Sequence, residues 1–296
     1  MKIAVTGASG MLGDACIQRF VERGDDVFAL ARKPFDKEYS GPGSVTQQVT
    51  NYSQADLKTC LKQVDAIVHL AAMRPNLEAD TLGFQSYFEA NVKTTENILR
   101  VASELGIQRF CQASSISVYS SFNSVPFRES DFPVALNFYG ASKIACEQMA
   151  MLYAKQSAMR TISLRIAQIL GNDQLQSGKM LMKFMSLART KEALPLWGEG
   201  RGARDTVYIK DVVSAIEASI DNNEANGIFN IGGGRAITNR EVAETINLVF
   251  GNEGNLFFDR THQESDREFY MDCSRAESEL EWKQQWSLLS AIQDLC

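Results

Sequence analysis

The residues that most constrain this chain are TGASGMLG, positions 6–13, set directly behind the apolar run KIAV. Gly7, Gly10 and Gly13 recur at every third position, between a short strand signal and a helical one. Such a loop permits a tight turn, close approach of the backbone to a pyrophosphate, and close packing of helix on strand. The helix that opens at Met11 and Leu12 offers its free N–H groups to the same phosphates. The spacing alone would also fit a glycine turn with no ligand. Its place inside a β-α-β unit points to a dinucleotide site.

The rest of the first half keeps that rhythm. KIAVTG, DVFALA, residues 45–50, VDAIVHLAA, IQRFCQASS and RTISLRIAQIL read as six strands. Helical signals lie between them at 11–23, 53–62, roughly 80–105, and 139–156. Regular alternation of this kind means a parallel sheet covered by helices on both faces, an α/β doubly wound Rossmann fold. After Gly171 the alternation stops, and a Met- and Leu-rich helix over about 177–190 leads into the loop-rich LPLWGEGRGARDTVYIKD. Residues 1–165, with about 206–235, are therefore expected to form the dinucleotide-binding domain. Residues 166–205 and 236–296 are expected to form a small C-terminal substrate-binding lobe.

Composition excludes several classes of function. A net charge of −6 gives no bulk basic field, so neither nucleic acid nor an anionic membrane is expected as a partner. The longest apolar run, VDAIVHLAA, is strand-sized, and MKIAVTGASG enters the glycine loop without a signal-peptide core. Six scattered cysteines without a C-x-x-C pair, and only His69 and His262, leave no metal-site spacing. A cytoplasmic chain with reduced thiols and no metal is the simplest reading.

The end of the second strand bears on the choice of dinucleotide. An acidic residue there would hold a ribose 2′-hydroxyl, whereas basic residues suit a 2′-phosphate. FALARKPF puts Ala31 in the acidic place, followed by Arg32 and Lys33. A guanidinium can bind phosphate bidentately, so NADP is favoured over NAD. A solvated basic loop is the plain alternative.

In NFYGASKIACEQ, Tyr139 and Lys143 stand four apart, one above the other on a helix. Alone, the pair would describe an amphipathic helix with a half-buried phenol and a solvated ammonium. With TGASGMLG, VHLAA, NVKTTENIL, SSISVY, YGASK, LRIAQILG, GARDTVYIKDV, NIGGG and AESELEWK in order, the chain resembles the extended short-chain dehydrogenase/reductase family. Specifically, it resembles the NAD(P)-dependent sugar epimerase/dehydratase branch, nearly end to end. The resemblance implies that Tyr139 is the catalytic acid/base, Lys143 its partner and nicotinamide-ribose ligand, and Ser115 the third member of the triad. It places Leu70, Ala71, Ala72 and Asn91 along the cofactor cleft and implies a homodimer through two long helices. Arg204 and Arg267 become candidates for a substrate diphosphate, with ion pairs to Asp205 or Asp211, and to Asp266 or Glu268, as the structural alternatives.

The chemistry suits those residue types. A free phenol ionises near pH 10, so a phenol serving as base near neutrality needs its ionised form favoured by roughly 4 kcal/mol. A lysine ammonium one turn away and an oxidised nicotinamide both act in that direction. The departures narrow the reaction. Sugar dehydratases of the branch carry an Asp-Glu pair after the Ser/Thr position, where this chain has Ile116 and Ser117. Ile166 and Gln168 also stand where nucleotide-sugar members usually have proline and asparagine. Glu129 and Asp131 read as solvated loop acids. The expected function is an epimerase acting on a small-molecule sugar, nucleotide-linked, through a keto intermediate. An NADPH-dependent carbonyl or keto-sugar reductase is the nearest alternative, and a non-catalytic NAD(P)-binding sensor the alternative of another class.

Overall fold

The computed structural model describes residues 1–75, 83–171, 180–264 and 267–296. Strands β1 (Lys2–Thr6), β2 (Asp26–Ala31), β3 (Ser44–Val49), β4 (Ala66–His69), β5 (Arg109–Ser115) and β6 (Arg160–Ile166) lie parallel in one sheet. Later in the chain come β7 (Gln168–Leu170), β8 (Leu194–Trp197), β9 (Ala203–Tyr208) and β10 (Gly227–Ile231), and β10 closes the sheet against β6. The order is β10-β6-β5-β4-β1-β2-β3. Strand succession reverses between β1 and β4, where Thr6 and His69 are register partners. In open parallel sheets that reversal opens a crevice at the carboxyl ends of the strands, the usual seat of a ligand.

The strands β1 and β4 are buried on both faces because helices cover both. Helices α1 (Met11–Arg23), α2 (Gln54–Cys60), α3 (Gly83–Tyr87), α4 (Thr94–Leu105) and α5 (Phe138–Gln156) belong to this half, and α6 (Met180–Arg189), α7 (Ile209–Asp221) and α8 (Asn239–Val249) follow. Ala4, Leu30 and Ile67 pack with Leu57, Ile98, Leu99 and Ala150 from α2, α4 and α5. Ile3, Val5 and Val68 pack in a second core with Ile17 and Phe20 of α1 and Ile216 of α7. That core continues without a break to Phe184 on α6 and Val242 on α8.

Two features depart from the sequence expectation. RTISLRIAQIL is not one strand: Ala167 donates its N–H to Ile231, and β7 then leaves the main sheet to pair with β9. The described part of the helix expected over 80–105 begins at Gly83 and passes through a π segment, Phe88–Lys93, before α4. The N-terminal parts of that helix and of the Met-rich helix fall outside the described residues. Beyond β7, strand β9 pairs with β11 (Ala236–Thr238) and β13 (Glu268–Phe269), while β12 (Leu256–Asp259) pairs with β8.

Candidate active site

The glycine loop sits at the strand reversal. Gly7 has φ +70°, and a Cβ there would come within 2.8 Å of the Ala71 nitrogen. At Gly13 a Cβ would overlap the Gly7 carbonyl, so α1 can start this close to the loop only with glycine. Met11 and Leu12, at the start of α1, are partly buried; a Cβ on Gly171 would lie 2.7 Å from Met11 Sδ. Next to the loop lies a cavity of about 430 Å³, lined among others by Arg32, Asn51, Tyr52, Ala71, Ala72 and Met73. Arg32 thus faces the cavity beside the glycine loop. Lys33 is exposed beside it and is not among the lining residues. The close-approach loop, the free helix start and the walled cavity together fit a dinucleotide.

Tyr52 has no clear signal in the sequence. It adopts φ 61°, a conformation that costs a bulky residue about 1–2 kcal/mol. Its hydroxyl accepts the Gly7 N–H at 3.4 Å and donates to the Leu30 carbonyl at 3.2 Å, holding the loop against the end of β2.

The opposite wall is set by a hydrogen-bonded chain. Thr6 Oγ1 accepts the N–H groups of Leu70 and Ala71, both at 3.1 Å, and so gives its own proton to His69 Nδ1 at 2.7 Å. His69 Nε2 then donates to Thr95 at 3.0 Å, and Thr95 donates to Cys146 Sγ on α5. Burial, with the charge of Lys143 second, pushes the imidazole down to about 3. His69 is therefore a neutral spacer rather than an acid/base.

Asn91 departs from the expectation that it lines the cleft. It is 1% exposed, in the π segment, and its amide is used inside the protein. Oδ1 accepts from Met73 N at 2.7 Å, while Nδ2 donates to Met73 O at 3.1 Å and to Ser142 Oγ at 3.0 Å. Ser142 in turn donates to the Tyr139 carbonyl at 2.7 Å. Asn91 ties the wall after β4 to the first turn of α5.

Helix α5 begins at Asn137, whose side chain caps Gly140 N at 2.7 Å. Tyr139 and Lys143, 9% and 6% exposed, both face inward. Lys143 Nζ lies 5.7 Å from the centre of the Tyr139 ring and donates to the Ala113 carbonyl at 2.7 Å. Tyr139 is wedged edge-on against Tyr87 at 6.4 Å between ring centres, beside Met73. Ser115 ends β5 and accepts the Ser117 N–H at 3.1 Å. The Ser117 carbonyl packs directly on Gly140, which brings the serine turn to the N-terminus of the tyrosine helix. The phenol and the ammonium thus stand one turn apart on α5, and the turn that carries the Ser115 hydroxyl abuts the first turn of the same helix. Together they can move a proton on and off an alcohol oxygen.

Arg204 is exposed on β9 and donates to Gln168 Oε1 at 3.3 Å. The carboxylates offered as its structural partners are engaged elsewhere. Asp205 accepts from Gly233 N and Met271 N, and Asp211 from Gln285 N and Trp286 N. Burial of Asp205 outweighs these bonds and raises it to about 6. Arg267 is exposed just before β13, whose Phe269 is the register partner of Arg204; Asp266 lies outside the described residues. Glu129 is not a solvated loop acid: burial raises its pKa, and its Oε1 accepts the Asn230 N–H at 2.8 Å. Asp131 accepts the Arg128 N–H within its own turn. Among the described residues, no cluster of His, Cys, Asp and Glu is arranged to hold a metal, and no helix is long and apolar enough to cross a membrane.

Comparison with known proteins shows the family of the chain. The model of the NAD dependent epimerase/dehydratase family matches residues 3–232. A UDP-N-acetylglucosamine 4-epimerase from Bacillus cereus superimposes with a TM-score of 0.87 at 32% identity, covering 100% of this chain and 95% of that one. MoeE5 in complex with UDP-glucuronic acid and NAD superimposes with a TM-score of 0.84 at 25% identity, covering 99% and 96%. In sequence, the dTDP-4-dehydro-6-deoxyglucose reductase of Escherichia coli is 27% identical over 297 residues, covering 95% of this chain and 92% of the relative.

Proposed function

The chain belongs to the NAD dependent epimerase/dehydratase family, and from that premise we propose that it epimerises a nucleotide-linked sugar by reversible hydride transfer. The observation that carries this reading is the packing of the Ser115 turn on the first turn of the helix that holds Tyr139 and Lys143, with no carboxylate at residues 116 and 117. A bound nicotinamide would supply a reversible hydride acceptor for the sugar carbon. Tyr139 removes the proton of the hydroxyl on that carbon and gives it back at the end. Lys143 holds the nicotinamide ribose, and Ser115 hydrogen-bonds the sugar oxygen. Arg204 and Arg267 hold the diphosphate from the lobe formed by 166–205 and 236–296. Ile116 can neither donate nor accept a proton, so water elimination has no acid in the place where dehydratases keep one.

Arg32 at the cavity, with Ala31 where an acid would stand, favours NADP over NAD. The same feature supports the second reading, a net NADPH-dependent reductase of a keto sugar using the same three residues in one direction. A cytoplasmic homodimer completes the proposal. Identifying the copurifying cofactor separates the two readings: tightly held, oxidised dinucleotide supports the epimerase, and freely exchanging NADPH the reductase. A protein that neither reduces nor oxidises its cofactor with any sugar or keto-sugar nucleotide would sink both and leave the sensor.

A further inference from the structure

A row of buried polar residues crosses the sheet behind the site, and nothing in the proposed chemistry uses it. Ser114 on β5, Arg165 on β6 and Asn230 on β10 are register partners, 5%, 2% and 0% exposed. Above them on α5 stands Glu147, 0% exposed, one turn beyond Lys143. Its carboxylate accepts Arg165 Nε at 3.0 Å, Arg165 Nη2 at 2.8 Å and Ser114 Oγ at 2.5 Å. Arg165 Nη1 donates to the Tyr119 hydroxyl at 2.7 Å, which lies 2.9 Å from Asn230 Oδ1. Asn230 Nδ2 then donates to the carbonyls of Phe127 at 3.0 Å and Asp272 at 3.1 Å. Phe127 also packs on Phe269, the register partner of Arg204. The row therefore runs from the tyrosine helix to the strand neighbouring Arg204.

We propose that Glu147 and Arg165 are positioning residues for the reaction, fixing the tyrosine helix and the serine strand end against the substrate side. Two consecutive residues of β5 are gripped by α5 side chains one turn apart, Ala113 by Lys143 and Ser114 by Glu147. Ser115, the next residue, is then presented at a fixed place relative to Tyr139. Stability alone is a weak reason for such a pair. The desolvation of two buried charges largely cancels their attraction, and apolar replacements of similar volume are often neutral or stabilising. The pair does supply geometry, because a bidentate fork whose third nitrogen donates to Tyr119 favours one arrangement of helix and strand.

The inference rests on the triad reading above, so Tyr139→Phe is measured in parallel. The test compares Glu147→Leu/Arg165→Met, Arg165→Lys and Ser114→Ala with wild type for melting temperature, kcat, KM and cofactor affinity. The double variant is expected to melt near wild type while kcat falls by about tenfold or more, with cofactor affinity unchanged, because small misplacements of reacting groups are costly. Arg165→Lys, which keeps the charge but not the fork, is expected to lose kcat as well. If the double variant does not fold, Ser114→Ala decides, with an expected kcat loss of about threefold or more at unchanged melting temperature. Wild-type kcat in the folded double variant, or in Ser114→Ala where the double does not fold, overturns the proposal. Full turnover by Tyr139→Phe overturns the triad reading itself, and this inference with it.

Discussion

Gly140 lies against the Ser117 carbonyl so closely that a Cβ on Gly140 would overlap the oxygen. That contact is where the serine turn after β5 meets the first turn of α5, one residue from Tyr139. Gly140→Ala should therefore separate the serine from the tyrosine. Helix propensity alone would make the substitution stabilising by about 1 kcal/mol in a helix interior. The expected outcome is the opposite: a lower melting temperature and a kcat reduced by about a hundredfold. A stabilised, fully active Gly140→Ala enzyme would show that the turn and the helix are not mechanically joined.

Tyr139→Phe keeps the ring that packs on Tyr87 and removes only the hydroxyl. Turnover should be abolished while dinucleotide affinity changes little, as measured by steady-state assay and calorimetry. Lys143→Met should be as damaging to turnover and should also weaken cofactor binding, since it removes a charge and the proposed ribose ligand. Turnover of the phenylalanine variant within about tenfold of wild type is incompatible with Tyr139 as the acid/base.

Arg32 gives a separate prediction about cofactor choice. Calorimetry on the wild-type protein should show tighter binding of NADP than of NAD. Arg32→Ala should erase most of that preference, a loss of roughly 1.5–3 kcal/mol for a charged hydrogen bond. Equal wild-type affinities would remove the role assigned to Arg32 and point to NAD as the working cofactor.

His69 makes stability depend on pH. Its folded value near 3 lies below the ordinary 6.5, so between those limits the unfolded chain binds a proton that the folded chain does not. Stability contributed by this site is thus lost as pH falls from 6.5 towards 3. Asp205, raised to about 6 from 3.8, acts in the other direction and loses stability as pH rises through its own window. The two are separated by comparing His69→Gln with wild type rather than by following wild type alone. The cost of the substitution should shrink by about 2 kcal/mol between pH 7 and pH 5 in denaturant titrations. The same cost at both pH values would mean that His69 takes up its proton in the fold as readily as in the unfolded chain.

Much of the architecture was legible because it depends on local patterns. The β-α alternation and the glycine spacing are periodic, and Tyr139 and Lys143 meet because positions four apart share a helix face. What escaped notice depends on partners distant in sequence. RTISLRIAQIL reads as one apolar run, and only the competing pairing with β9 shows that it breaks at Ala167. Asn91 looked like a cleft residue, but the π segment turns its amide onto Met73 and Ser142. Tyr52 reaches the glycine loop through a left-handed backbone that no pattern of an aromatic residue announces. Glu129 sits in a charged loop sequence, yet the fold half-buries it against Asn230. Glu147 lies within the tyrosine-lysine motif itself, and its partner Arg165 is visible only once β6 is laid beside β5.

Product analysis tests the proposed reaction most directly. The enzyme is incubated with nucleoside-diphosphate hexoses deuterated on their ring carbons, and products are examined by mass spectrometry and NMR. Hydride transfer out and back, without an acid at Ile116 or Ser117 to expel water, should yield an epimer of unchanged mass that keeps all its deuterium. A 4-keto-6-deoxy product, formed with loss of water over many turnovers, would contradict that reaction and place a catalytic acid elsewhere in the chain.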